Sequence, residues 1–146
     1  MSMKDYQAWH TLKSKIEYEH HSPPFGEREV WWSSLGANVG TEEDGKNKFF
    51  ERPVLVVRKF NKEMLWALPL TSREKEGMYY LKFSLNNTNT TIILSQLRVL
   101  SAKRLIRKIG KIGKKQFFEA QEAVSSLFGK RAEAKKNGSL SGASGA

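Results

Sequence analysis

The residues best placed to do chemistry are Arg52 and Thr71. Arg52 stands in Glu51-Arg52-Pro53, ahead of the apolar run Val54-Leu55-Val56-Val57. Thr71 closes Pro69-Leu70-Thr71-Ser72, after a second apolar run, Met64-Leu65-Trp66-Ala67-Leu68. The rest of the catalytic toolkit is narrow. The chain has no cysteine, which excludes a thiol nucleophile, a thiolate zinc site and a disulfide framework. Its histidines are His10 and the adjacent pair His20-His21, whose loop position reads as an exposed linker and not as a metal site. Glu42-Glu43-Asp44 sits beside Gly45-Lys46-Asn47-Lys48 and reads as a solvated loop, so neither a metal nor a cofactor is expected. Such a toolkit suits RNA, which brings its own nucleophile: the 2′-hydroxyl need only be aligned with the adjacent phosphate. A guanidinium stays charged and can meet two phosphate oxygens at once. Pro53 fixes the backbone beside it, and Thr71 can hydrogen-bond the phosphate or the attacking hydroxyl. Which group takes the 2′ proton stays open, since arginine is too weak a base and threonine is none. Outside any wider context, Arg52 reads first as an ordinary strand-start cation and Thr71 as a turn hydroxyl.

The elements that must position the two residues read as a hairpin. Two short apolar runs separated by Asn61-Lys62-Glu63 predict antiparallel strands, and antiparallel pairing brings Arg52 and Thr71 to the same end. Ahead of them, Glu29–Leu35 predicts a strand and Gly36–Glu51 a long polar loop, a length that is usually functional or disordered. Further strands are expected over Met78–Phe83, Thr90–Leu94, Ser95–Leu100 and Ile106–Ile112, with Asn86–Asn89 as a turn. Ser101 is expected to cap a short helix through Leu105. Strands at this density predict a compact antiparallel barrel, not a doubly wound sheet. An amphipathic helix is expected from Asp5 to about His20, capped by Asp5 or Ser2, with Tyr6, Trp9, Leu12 or Lys13, and Ile16 on one stripe. That stripe reads as core, or as a surface holding a partner chain. A second helix, Lys114 to Phe128, places Phe117, Ala120, Val124, Leu127 and Phe128 on one face, and Gly129 ends it.

Several of these blocks, in order, resemble the MazF/PemK (Kid-like) toxins of type II toxin–antitoxin pairs. They are Gly40-Thr41-Glu42, Gly45-Lys46, Glu51–Val57, Pro69-Leu70-Thr71-Ser72, Ile92–Val99 and Lys103-Arg104-Leu105, within about Glu29 to Phe128. The resemblance implies a mainly β fold with flanking helices (α+β): an SH3-like antiparallel barrel of the CcdB/PemK type, plus an added N-terminal helix and a C-terminal helix. It implies a metal-independent endoribonuclease, with Arg52 and Thr71 catalytic and a 2′,3′-cyclic phosphate and 5′-hydroxyl as products. It places Thr41, Glu42, Lys46, Ser72, Gln96, Arg98, Lys103 and Arg104 at the RNA-binding groove, over which the loop Gly36–Glu51 lies as a mobile segment. A homodimer and a cognate antitoxin with an acidic segment are implied partners, beside single-stranded RNA. The plasmid Kid branch uses an arginine and an aspartate where this chain has Ile93 and Ser95, so the MazF arrangement fits better. Two rivals share the barrel. A CcdB-like gyrase poison depends on a terminal Trp-Gly-Ile, whereas this chain reads Ser141-Gly142-Ala143-Ser144-Gly145-Ala146. A binding-only barrel would hold nucleic acid without cutting it.

At 146 residues the chain is long enough for one domain with its own core. The expected division is 1–24 as helix and linker, 25–129 as the barrel with its C-terminal helix, and 130–146 as a disordered tail, basic and then Gly/Ser/Ala-rich. Residues 99–136 hold 11 Lys or Arg against three Glu, a net +8 of the formal +10. Such asymmetry suits a polyanionic partner or a merely solvated basic face. Lys103, Arg104, Arg107, Lys108 and Lys111 would add phosphate affinity. Trp31, Trp32 and Phe49-Phe50 are the aromatics nearest the loop, and they read as core sooner than as base-stacking surfaces. No apolar run reaches the roughly 20 residues of a membrane span and the start lacks a signal-peptide core, which predicts a cytoplasmic protein with no membrane partner.

Overall fold

The computed structural model describes residues 3–47 and 49–129; the stretch 130–146, read from the sequence as a disordered tail, lies outside the described residues. Strands β1 (Glu29–Ser34), β2 (Glu51–Lys59), β3 (Met64–Thr71), β4 (Tyr80–Leu85), β5 (Thr88–Ile93), β6 (Arg98–Ser101) and β7 (Leu105–Lys111) are flanked by helices α1 (Tyr6–Glu19) and α2 (Lys114–Ser126). The strands form one antiparallel sheet in the order β4-β5-β3-β2-β1-β7. β6 pairs with Met64–Ala67 of β3, while β5 pairs with Leu70 and Thr71 of the same strand. β6 and β7 therefore lie toward opposite ends of the sheet, yet only the 3₁₀ turn Ala102–Arg104 joins them. The sheet must curl to bring those ends together. The result bears out the expected mainly β fold with a helix at each end, its curled antiparallel sheet forming a half-barrel.

β2 explains why its apolar run does not alternate. Leu55 and Val57 point into a core with Val30, Leu68, Leu70, Phe83 and Ile92, which α2 covers with Phe117 and Ala120. Val54 and Val56 point the other way, into a second core with Trp31, Leu35, Leu65 and Leu105. A strand buried on both faces has no polar side to show. A third, smaller cluster joins Trp9 and Ile16 of α1 to Ala37, with Leu12 and Phe50 packed against it. Asp5 caps α1, its Oδ1 accepting from the Ala8 amide at 2.9 Å.

Three local expectations change. The segment Ser95–Leu100 is not one strand: Leu94–Gln96 is a 3₁₀ turn and β6 starts at Arg98, so Gln96 and Arg98 do not share a strand face. The strand expected at Met78 starts at Tyr80, and the turn tightens to Asn86-Asn87, both with positive φ. α2 ends at Ser126, which leaves Phe128 77 % exposed instead of on the core stripe, while Gly129 takes the left-handed φ of 84° that ends such a helix. The short helix after Ser101 is the 3₁₀ turn itself, with Ser101 Oγ accepting from the Lys103 amide. No helix among the described residues is long and apolar enough to cross a membrane.

Candidate active site

The β2–β3 pairing ends at Val54 and Pro69, and Arg52 and Thr71 lie two residues beyond that pair on their own strands, at the same end of the sheet. Both line a cleft of about 400 Å³, together with Lys46, Ser72, Trp32 and Asn89. Burial fixes Arg52, which is only 8 % exposed and held along its whole guanidinium. Nε donates to the Asp44 carbonyl at 2.7 Å, Nη1 donates to the Leu70 carbonyl at 3.0 Å, and Nη2 lies 3.0 Å from Glu43 Oε1. The arginine thus carries a resident anion, Glu43. Thr71 is buried and its Oγ1 accepts from the Arg73 amide at 3.2 Å.

Glu43 and Asp44 come from the segment 35–50, a strap whose base and middle are both pinned. At the base, Lys46 and Glu51 exchange backbone hydrogen bonds of 2.7 and 2.8 Å. Gly45 lies so close to the Phe50 carbonyl that any side chain there would overlap backbone. In the middle, the Asn38 amide donates to Asp44 Oδ1 at 2.6 Å, and Asn38 Nδ2 donates to the carbonyls of Leu35 and Glu43. Gln96 supports the strap from the 3₁₀ turn: Oε1 accepts from the Glu43 amide and Nε2 donates to the Thr41 carbonyl, each at 3.3 Å.

The sequence of this curled-sheet domain is matched by a family model. That model, "PemK-like, MazF-like toxin of type II toxin-antitoxin system", covers residues 27–128. The chain belongs to this family. Solved MazF structures share its fold. MazF (Form-I) from Deinococcus radiodurans is 18 % identical with a TM-score of 0.58, covering 74 % of this chain and 97 % of that one. Mycobacterium tuberculosis toxin MazF-mt6 is 16 % identical with a TM-score of 0.53, covering 69 % and 96 %. A MazE–MazF structure (Form-II) from Deinococcus radiodurans is 18 % identical with a TM-score of 0.51, covering 73 % and 95 %. No curated protein matches the chain. The family match starts at residue 27, so α1 lies outside the matched residues.

The other expected site residues of this MazF-like chain fall in three places. Lys46 and Ser72 share the cleft with Arg52 and Thr71. Glu42, Gln96 and Arg98 line a neighbouring groove, and the Thr41 carbonyl is tied to its Gln96. Burial lowers the pKa of Arg98 against the opposing pull of Glu42, and burial together with the Arg98 charge lowers that of Arg104. Lys103 and Arg104 lie instead against α1. Lys103 Nζ donates to the Glu17 carbonyl at 2.8 Å, and Arg104 donates to the Ser34 carbonyl with its guanidinium 5.6 Å from the Trp9 ring centroid.

Sequence reasoning missed Glu43 and Asp44, whose acidic run looks like any solvated loop until the arginine beneath it is seen. It also took Trp32 for core. Trp31 is buried, donating to Glu29 Oε1 at 2.9 Å, and Phe50 packs on Trp9, but Trp32 faces the cleft with the Arg107 guanidinium 5.1 Å from its ring centroid. Arg107 is in turn held by both carboxylate oxygens of Glu51. The alternation along β1 carries the signal that separates neighbouring tryptophans, one on each face.

Proposed function

We propose that the chain is the toxin of a toxin–antitoxin pair, acting as a metal-independent endoribonuclease on single-stranded RNA and so inhibiting translation and growth. The observation that carries this reading is a fixed arginine and a threonine facing one cleft. In the reaction the 2′-oxygen bonds to phosphorus as the P–O5′ bond breaks; the 2′-oxygen loses a proton and the 5′-oxygen gains one. Arg52 stabilises charge on the phosphoryl oxygens. Nε and Nη1 already donate once each and Nη2 is ion-paired with Glu43, so the remaining N–H groups of Nη1 and Nη2 are the ones a phosphate would meet once Glu43 is displaced. Thr71 donates its hydroxyl proton to the phosphate or orients the attacking hydroxyl. Glu43 must leave for the phosphate to bind well, because two anions compete for one cation. The Trp32 face suits a stacked base. A homodimer, a cognate antitoxin with an acidic segment directed at this cleft, and a cytoplasmic location complete the reading. The Glu43 carboxylate already seated on Arg52 favours one alternative, a barrel that binds RNA elsewhere on its surface without cutting it.

The test is incubation of purified protein with long mixed-sequence RNA in excess EDTA, beside Arg52→Ala and Thr71→Val, with ends mapped by primer extension. Cleavage at a recurring short motif, reduced by about 100-fold or more in Arg52→Ala, is expected. Thermal melts show that the variants remain folded. Intact RNA with folded wild-type protein overturns the enzyme reading, and salt-sensitive RNA binding without cleavage replaces it with the alternative.

A further inference from the structure

The N-terminal helix contributes little to the two barrel cores; it packs on the strap. Lys4 Nζ donates to the Asn38 carbonyl at 2.5 Å and lies 3.0 Å from Asp44 Oδ2. Tyr6 Oη donates to the same carbonyl at 3.0 Å. Trp9 closes the strap's two ends: its ring centroid is 5.5 Å from that of Phe50, and it fills the space a side chain at Gly36 would need. Asn38, Glu43 and Asp44 are hydrogen-bonded to one another, so they move as a unit. Holding Asn38 and Asp44 from Lys4 and Tyr6, at the start of α1, therefore holds Glu43 on Arg52. The helix is braced in turn against the turn Ala102–Arg104, through Arg104 over Trp9 and Lys103 on Glu17.

We propose that the N-terminal segment Lys4–Trp9 is a clamp on the strap, and that Lys4 and Tyr6 are positioning residues setting how readily Arg52 passes from Glu43 to an RNA phosphate. The identity of the incoming phosphate rests on the ribonuclease reading. The clamp itself rests on contacts that do not depend on that reading. The Lys4 and Asp44 side chains are 30 % and 29 % exposed, so their ion pair is partly shielded and is joined by the two hydrogen bonds to Asn38. Opening the strap must break all of these together.

The test uses the full chain with Lys4→Met and Tyr6→Phe, and with Lys15→Met on the exposed face of α1 as control. Hydrogen exchange is followed over 36–50, and steady-state cleavage of single-stranded RNA is measured in EDTA. Lys4→Met is expected to speed exchange of the strap amides by about tenfold, with the β2–β3 amides unchanged. KM should fall by about threefold to tenfold at constant kcat. Tyr6→Phe should do the same more weakly, and Lys15→Met should do neither. Unchanged strap exchange in Lys4→Met overturns the clamp, and faster exchange with unchanged KM overturns its link to Arg52. No cleavage by any variant, the wild type included, overturns the ribonuclease reading and the hand-over with it, while the exchange data still decide whether the clamp exists.

Discussion

Replacing Glu43 with glutamine removes the resident anion from Arg52 while keeping the size of the side chain and one acceptor oxygen. The pair it breaks is well shielded: the Arg52 side chain is 9 % exposed, that of Glu43 26 %, and the contact is 3.0 Å. Opposite charges whose centres lie about 4 Å apart attract by about 4 kcal/mol at an effective dielectric of about 20. Desolvation of both groups offsets much of that, and the glutamine oxygen retains a hydrogen bond, leaving a net loss of about 1–2 kcal/mol. The closed strap should then lose a factor of about 5–30 against the open one. If Glu43 occupies the phosphate position, that loss returns as tighter RNA binding. Glu43→Gln should lower KM, and the Kd of an oligonucleotide carrying a 2′-deoxy sugar at the cut site, by up to that factor with kcat little changed. The melting temperature should fall by no more than about 4–8 °C, less if opening is local. Weaker RNA binding by a folded Glu43→Gln, or a lower kcat at constant KM, would refute the reasoning, because Glu43 would then be orienting Arg52 for substrate and not competing with it.

Other consequences can be measured without RNA. Gly36 has φ of 86° and lies against the Trp9 indole, so Gly36→Ala combines an unfavourable backbone with a collision; a loss of about 2 kcal/mol or more and a red-shifted tryptophan emission are expected, and an unchanged melt would contradict the packing of α1 on the strap. Burial of the Glu29 carboxyl favours its neutral form, but the Trp31 indole N–H, the Gly26 amide and Lys108 outweigh that and lower its pKa. A carboxyl depressed in the folded state stabilises it above the unfolded value, here the ordinary 4.5, and that stabilisation is lost as pH falls through the lowered folded value. Denaturant titrations of Glu29→Gln should therefore show a shallower fall of stability below about pH 4.5 than the wild type, and equal slopes would rule out this role.

The parts of the fold legible in the sequence are those that burial dictates locally. The uninterrupted run Val54–Val57 announces a strand covered on both faces, and antiparallel pairing alone puts Arg52 and Thr71 at one end. Asp5 and Gly129 mark helix ends because capping is a property of one turn of chain. What escaped depends on groups far apart in sequence. Lys4 meets Asp44 across 40 residues, and Gln96 meets Glu43 across 53, with no periodicity to announce either. Trp31 and Trp32 differ only by the face of β1 they occupy, and composition assigns both to the core.

The basic surplus of residues 99–136 is a weaker argument for RNA than it looks from the sequence. Lys103 is bonded to Glu17, Arg104 to the Ser34 carbonyl, Arg107 to Glu51 and Lys108 to Glu29, so several of these cations already answer to partners within the chain. Arg107 and Lys108 are about half exposed, but their partners Glu51 and Glu29 are only 8 % and 15 % exposed, so giving either cation to a phosphate would strip a shielded carboxylate of its partner. Arg52 is different. Its partners are a carboxylate and two backbone carbonyls in a nearly closed site, where an arriving phosphate gains most from a fixed guanidinium and loses most to the anion already there. The functional reading therefore stands on that one arginine and the strap above it, and the net charge of the chain contributes at most the encounter.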